Sequence, residues 1–184
     1  KFIEIQKNEN KITDTIIYRE SPIYIDPRNK KLGGRILSTL EKLHLTIKKL
    51  GLNIVKPENY FIDAHTLGVP IKGNENLKEQ LFGLEANFEE LQAIDFKKGC
   101  YIGQENTARM KLKNKLRRRL LPIKTDQNLN IGDELKYNNT VIGKVLINNP
   151  MPFDLVKVFN PDFSEFSNKD IFIKDKKVKL INIF

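Results

Sequence analysis

Beyond Lys115 the chain breaks into short apolar runs separated by turn residues: "LRRRLLPI", "DELKYNNTVIGKVLIN", "FDLVKVF", "DIFIKD" and "KVKLINIF". Runs of this length, rich in β-branched residues, read as strands, and their close spacing predicts a small antiparallel barrel or sandwich over residues 114–184. Asn138-Asn139 stands where a hairpin turn belongs, because such a turn needs positive φ at both central residues and asparagine tolerates it. The expected core of this module includes Leu146, Val156, Val158, Ile171 and Ile173.

Residues 1–113 have a mixed character, so the fold class is α+β. "TDTIIYRE" and "SPIYIDPR" read as strands, and Gly33-Gly34 marks a turn into a third. Ser38 and Glu41 have the spacing of a capping box, ahead of Leu40, Leu43, Ile47 and Leu50 at helical intervals, and Gly51 closes that helix. Pro57 suits the first turn of a second helix, which runs to Gly68. Residues 71–84 read as a connector, Asn87 and Glu90 again have cap spacing, and Gln104 to about Lys113 is helical. The chain opens on the strand-like "KFIEI" with Lys1 rather than methionine, so a fragment or processed form is expected.

Composition bounds the setting. No apolar run in the 184 residues approaches the roughly 18 that a membrane span requires. A single cysteine excludes an internal disulfide framework and fits a reducing compartment, the cytoplasm or an organelle matrix. The net charge of +9 fits an anionic partner, but Lys, Ile and Asn are abundant throughout, as dispersed surface lysine would also produce. One cysteine with His44 and His65 makes no zinc site of recognised spacing, and no metal site is expected. Phosphate-binding and dinucleotide-binding glycine motifs are absent.

The cysteine stands in "KKGCYIGQENTARMK". Only a thiolate is a good nucleophile or metal ligand, and three features favour one at Cys100: Lys97, Lys98 and the amides of a helix starting near Gly103. Gly99 and Gly103 permit a tight backbone path. A lone cysteine is also commonly a small buried hydrophobe, and local chemistry leaves both roles open.

The segment as a whole is more specific. "KGCYIGQE", Lys98 to Glu105, resembles the signature of the YgfZ family, folate-binding relatives of the glycine-cleavage aminomethyltransferase. Support comes from "DPR" at Asp26–Arg28, "LGGR" ending at Arg35, "LGVP" ending at Pro70, the run from Glu85 to Lys111, and "RRRLLP" leading into the barrel. The resemblance implies an aminomethyltransferase-like folate-binding region over 1–113, partial because relatives carry roughly a hundred further residues before the equivalent of Lys1, then a C-terminal antiparallel β-barrel over 114–184. It implies a factor that binds tetrahydrofolate and supports iron–sulfur cluster assembly or repair in client enzymes, tRNA-modifying ones among them. The setting is cytoplasmic in a bacterium and the mitochondrial matrix in a eukaryote.

By the same resemblance Cys100 and Lys98 carry the chemistry, while Tyr60, Tyr101, Gln104 and Glu105 bind the cofactor. Ala64 stands where many relatives have a polar residue. An aminomethyltransferase is the alternative, although aminomethyl transfer needs no thiol. A third reading is an RNA-binding barrel using Arg117, Arg118 and Arg119. Strand alternation sets Arg118 on the opposite face from its neighbours, so no continuous basic stripe and no direct nucleic-acid binding are expected.

Overall fold

The computed structural model describes residues 15–99, 102–113, 116–174 and 176–183. The chain divides into two compact units, Lys1–Asn59 and Tyr60–Phe184.

In the first unit, β1 (Thr15–Tyr18), β2 (Ser21–Ile25) and β3 (Gly34–Ile36) form an antiparallel meander. Tyr18 pairs with Ser21, so the turn has only Arg19 and Glu20, both at positive φ, as the right-handed twist of a tight hairpin demands. The "DPR" and "LGGR" stretches meet on one buried carboxylate. Asp26 accepts from Arg28 at 3.0 and 2.8 Å and from Arg35 Nε at 2.6 Å. The Arg28 guanidinium, with Arg35 beside it, holds the Asp26 carboxyl well below the usual carboxylate range.

Helix α1 (Leu40–Leu50) begins one residue later than the capping-box spacing places it. Thr39 is the N-cap and accepts from the Lys42 amide. The Ser38 hydroxyl is held instead by Ser21 Oγ at 2.8 Å, which leaves capping to its neighbour. Gly51 ends the helix in the left-handed region, where glycine carries no steric penalty.

In the second unit six strands close into a barrel: β4 (Arg118–Lys124), β5 (Glu134–Tyr137), β6 (Thr140–Ile147), β7 (Phe153–Lys157), β8 (Ile171–Ile173) and β9 (Lys176–Leu180). Their order around the barrel is β4-β7-β6-β5-β8-β9, and β9 returns to β4. The hairpin predicted at Asn138-Asn139 is present, with both residues at positive φ and Tyr137 paired to Thr140. The interior is packed with Leu121, Ile123, Leu135, Val145, Val156 and Ile173, among others. At about 1.5–3 kcal/mol per buried aliphatic side chain, this packing is the main favourable term.

Two members of the expected core sit differently. Leu146 is buried, but in a second cluster with Leu120, Ile147, Phe153 and Leu155. The β6–β7 register shifts between Val145 and Ile147, and such a bulge breaks the alternation on which the expectation rests. Val158 is only half-buried, because it follows the end of β7 and its amide donates to the Arg117 carbonyl.

The barrel also encloses a carboxyl. Asp154 lies opposite Leu121 and Val145, on the interior face, and is fully buried. The Lys144 amide faces it, yet neither carboxyl oxygen accepts a hydrogen bond of ordinary geometry. Gly143 makes the room: a Cβ there would stand 2.6 Å from Asp154 Oδ1. Burial pushes this carboxyl well above its ordinary value.

Helix α2 (Pro57–Thr66) packs on the barrel through His65. The ring is fully buried, edge-on to Phe153 with centroids 5.0 Å apart. Nδ1–H donates to the Met151 carbonyl at 2.8 Å, and Nε2 accepts from the Lys72 amide at 3.3 Å. Both partners are satisfied by a neutral ring, and burial, aided by the Lys72 cation, holds its pKa below the ordinary value. Gly68 follows at φ +78°, in contact range of Ile183, where a Cβ would fall 2.7 Å from the Ile183 side chain.

These two groups give stability opposite pH slopes. The folded state keeps the Asp154 proton that the unfolded chain releases above about pH 3.9, so this contribution falls as pH rises from there. Asp154→Asn should stabilise the protein by about 1–3 kcal/mol at neutral pH and flatten that fall in urea titrations; an unchanged pH profile would overturn the assignment. The unfolded chain binds a proton at His65 below about pH 6.5 that the folded state refuses, so this contribution is lost on acidification. His65→Gln should weaken the acid sensitivity, read from midpoints at pH 5 and 7.

Candidate functional site

The site begins with an edge that the barrel leaves open. β9 pairs with β4 only at Ile123 and Lys124, so the earlier part of β4 needs another partner on that side. The segment 84–90 supplies it. The Leu120 amide donates to the Glu85 carbonyl at 2.8 Å, and Asn87 Nδ2 donates to the Leu120 carbonyl at 2.6 Å. Asn87 and Glu90, read as helix-cap candidates, therefore cap no helix: Asn87 is buried at φ +61°, and both side chains accept from Arg119.

Buried Glu85 adds an ion pair. Its carboxylate takes Arg118 Nε and Nη2 at 2.8 and 3.0 Å, a bidentate arrangement, and also accepts from the Phe82 amide at 3.0 Å. From this anchor the chain passes through Asp95, which accepts from the Lys97 amide at 2.8 Å, to the cysteine segment. Helix α3 (Gln104–Leu112) then starts at Gly103, whose φ of +86° needs glycine. Lys111 ties this helix back by pairing with Glu89 and lying 4.1 Å from the Phe96 ring centroid.

The residues singled out from the sequence fall as follows. Cys100 and Tyr101 lie outside the described residues. Lys98 is exposed, as are Gly99 and Ile102. Gln104 is half-buried at the start of α3, and Glu105 is exposed and paired with Arg109 at 2.5 Å. Tyr60 is half-buried on α2, its ring 6.4 Å from that of Phe61.

Beside α3 lies a cleft of about 940 Å³, within the range of small-ligand sites. Asn106, Arg109, Met110 and Lys113 form one wall, and their i, i+3, i+4, i+7 spacing is a single helix face. Arg117, Arg118 and Lys157 form the other, with Glu85 between them. Phe82 and Phe159, 57% and 65% exposed, and Asn160 complete the lining. Tyr60 is not part of it. Five cations thus face one carboxylate that is already committed to Arg118.

Sequence reasoning did not find this cleft. The α3 face was legible from its spacing, but its far wall comes from the two ends of paired strands, Arg117 and Lys157, forty residues apart in the chain. The basic triplet is divided: Arg117 and Arg118 line the cleft, while Arg119 turns to Asn87 and Glu90. β4 begins only at Arg118, so strict alternation does not extend to Arg117.

No protein-family model matches the chain. Among curated proteins it is similar to a mitochondrial iron–sulfur cluster assembly factor IBA57 homolog of Pyricularia oryzae, 33% identical over 114 residues, 62% of this chain and 29% of that protein. A protein of the same name from Dictyostelium discoideum is 32% identical over 102 residues, 55% of this chain and 25% of its own length. One from Neurospora crassa is 36% identical over 100 residues, 53% of this chain and 22% of its own. The chain therefore spans less than a third of the length of these relatives. Among the described residues no helix is long and apolar enough to cross a membrane.

The Glu85–Arg118 pair should hold the strand wall of the cleft. Glu85→Gln should cost about 1–3 kcal/mol in urea unfolding, less than a wholly buried pair because Arg118 is partly exposed. Added to Arg118→Ala, the same change should cost much less; strictly additive costs would show that the two do not couple.

Proposed function

We propose that this chain works in iron–sulfur cluster assembly or repair, as a folate-dependent accessory factor of the mitochondrial matrix whose clients are iron–sulfur enzymes, tRNA-modifying ones among them. The observation that carries the reading is the likeness, over 100 residues or more, to three mitochondrial iron–sulfur cluster assembly factors. The "KGCYIGQE" segment adds to it, as does its setting: an exposed Lys98 on one side and α3 directly on the other. The same reading gives the region before the barrel an aminomethyltransferase-like fold.

In this reading Cys100 is the working thiol. The Lys98 cation and the first amides of α3, whose N-cap is Gly103, favour its thiolate, the form that attacks or binds metal. Gly99 and Gly103 stand in open space, where a Cβ would meet nothing within 4 Å.

The cleft residues fit a folate. Such a molecule joins flat aromatic rings to a chain ending in carboxylates, and the cleft offers two exposed phenylalanine faces, the Met110 thioether and an excess of cations. Tetrahydrofolate, when bound, supplies a one-carbon carrier. Gln104 and Glu105 open the helix whose later residues line the cleft.

The test is replacement of the thiol. In cells whose own factor has been removed, the wild-type chain should restore iron–sulfur enzyme activity and Cys100→Ser should not, while keeping its thermal midpoint, since the two side chains are close in volume. Full restoration by Cys100→Ser, with a native thiol that resists alkylation, would return Cys100 to a packing role. Turnover of an aminomethyl-loaded lipoyl carrier with tetrahydrofolate would instead favour the aminomethyltransferase.

A further inference from the structure

We propose that the cleft between α3 and the ends of β4 and β7 holds the polyglutamate tail of a folate, so that the chain selects folates by the length of their acidic chain. This rests on the folate reading above and adds to it the part of the ligand that is recognised, and by which residues.

The charge balance points there first. Of the five cations, Arg118 is matched by Glu85 and Arg109 by Glu105. Among the described residues Lys157 Nζ donates only to the neutral Val141 carbonyl, at 3.0 Å. Among the described residues Lys113, Arg117 and Lys157 have no carboxylate partner. Their crowding is not what folding favours. Arg118 and Lys157 lie directly opposite in the β4–β7 ladder, and Val158, the next residue, bonds the Arg117 carbonyl. Like charges so placed destabilise a sheet. Lysines at the end of α3 complement its dipole, but Arg117 and Lys157 are not on that helix.

The distribution of the charge chooses among anions. A single phosphate would engage one or two of these groups and leave most of about 940 Å³ empty. The cations instead stand on both walls of the cleft. Arg109 and Lys113 are about one helical turn apart, on a face about 10 Å long from Asn106 to Lys113, and Arg117 and Lys157 stand together at the facing strand ends. A chain with one carboxylate per residue matches such a spread. Its amide links find partners in Asn106 and Asn160, which can both donate and accept. The benzoyl ring that joins the pterin to this chain has a surface to meet in Phe82 or Phe159.

The experiment titrates the full chain with monoglutamyl and pentaglutamyl tetrahydrofolate by calorimetry, with circular dichroism to check folding. The pentaglutamyl form should bind at least about tenfold more tightly at low salt, and that advantage should shrink as salt rises to about 0.5 M. In Lys113→Gln/Arg117→Gln, two exposed positions at which the fold should persist, most of the advantage should disappear. Equal affinity for the two folates, or a pentaglutamyl advantage that survives the double substitution, overturns the cleft assignment and leaves the folate reading standing. Failure to bind either folate removes the folate reading and the proposal together.

Discussion

The second unit depends on how the open edge of β4 is closed. A barrel removes sheet edges only where every strand has two neighbours, and β9 is too short to cover β4 above Ile123. The amide and carbonyl of Leu120 would otherwise be buried without partners. Glu85 and Asn87 take one each, and this fixes the segment from which the cysteine loop and α3 follow. The backbone bonds are reinforced by side chains of the same residues, Glu85 on Arg118 and Asn87 on Arg119.

That closure also shapes the electrostatics. By holding Arg118 against Glu85, it puts a matched pair in the cleft beside cations that have no carboxylate partner among the described residues. A matched pair does not compete with a ligand for the other cations, and it keeps the buried Glu85 carboxylate from standing uncompensated. Packing, hydrogen bonding and site chemistry are here properties of one short contact between a turn and a strand.

Buried polar groups elsewhere follow the same physics with different outcomes. Asp26 is buried but gathers two arginines, so it is charged. His65 is buried between one acceptor and one donor, so it is neutral with a defined tautomer. Asp154 faces only the Lys144 amide and, among the described residues, no cation, so burial favours its protonated form. Gly143 shows that the interior is shaped around that carboxyl rather than merely tolerating it.

The barrel strands, the Asn138-Asn139 hairpin, α2 and α3 were all legible in the sequence, because each depends on local signals: β-branched runs, positive-φ residues, proline and glycine at element ends. The Lys98–Glu105 segment was legible for the same reason, as a contiguous string. Where a residue competes for a distant partner, local reasoning ran out. Ser38 has cap spacing but is held by Ser21; Asn87 and Glu90 have cap spacing but serve β4 and Arg119. Leu146 leaves the alternation at a bulge that no local signal marks. The sequence by itself determined most of the strands, the helices α1 to α3 and which short string carries the thiol, since those follow from each residue's own backbone and side-chain preferences. Only the tertiary structure decided which charges are paired and which face the cleft, because that depends on Glu85, Arg117 and Lys157 meeting across a closed barrel.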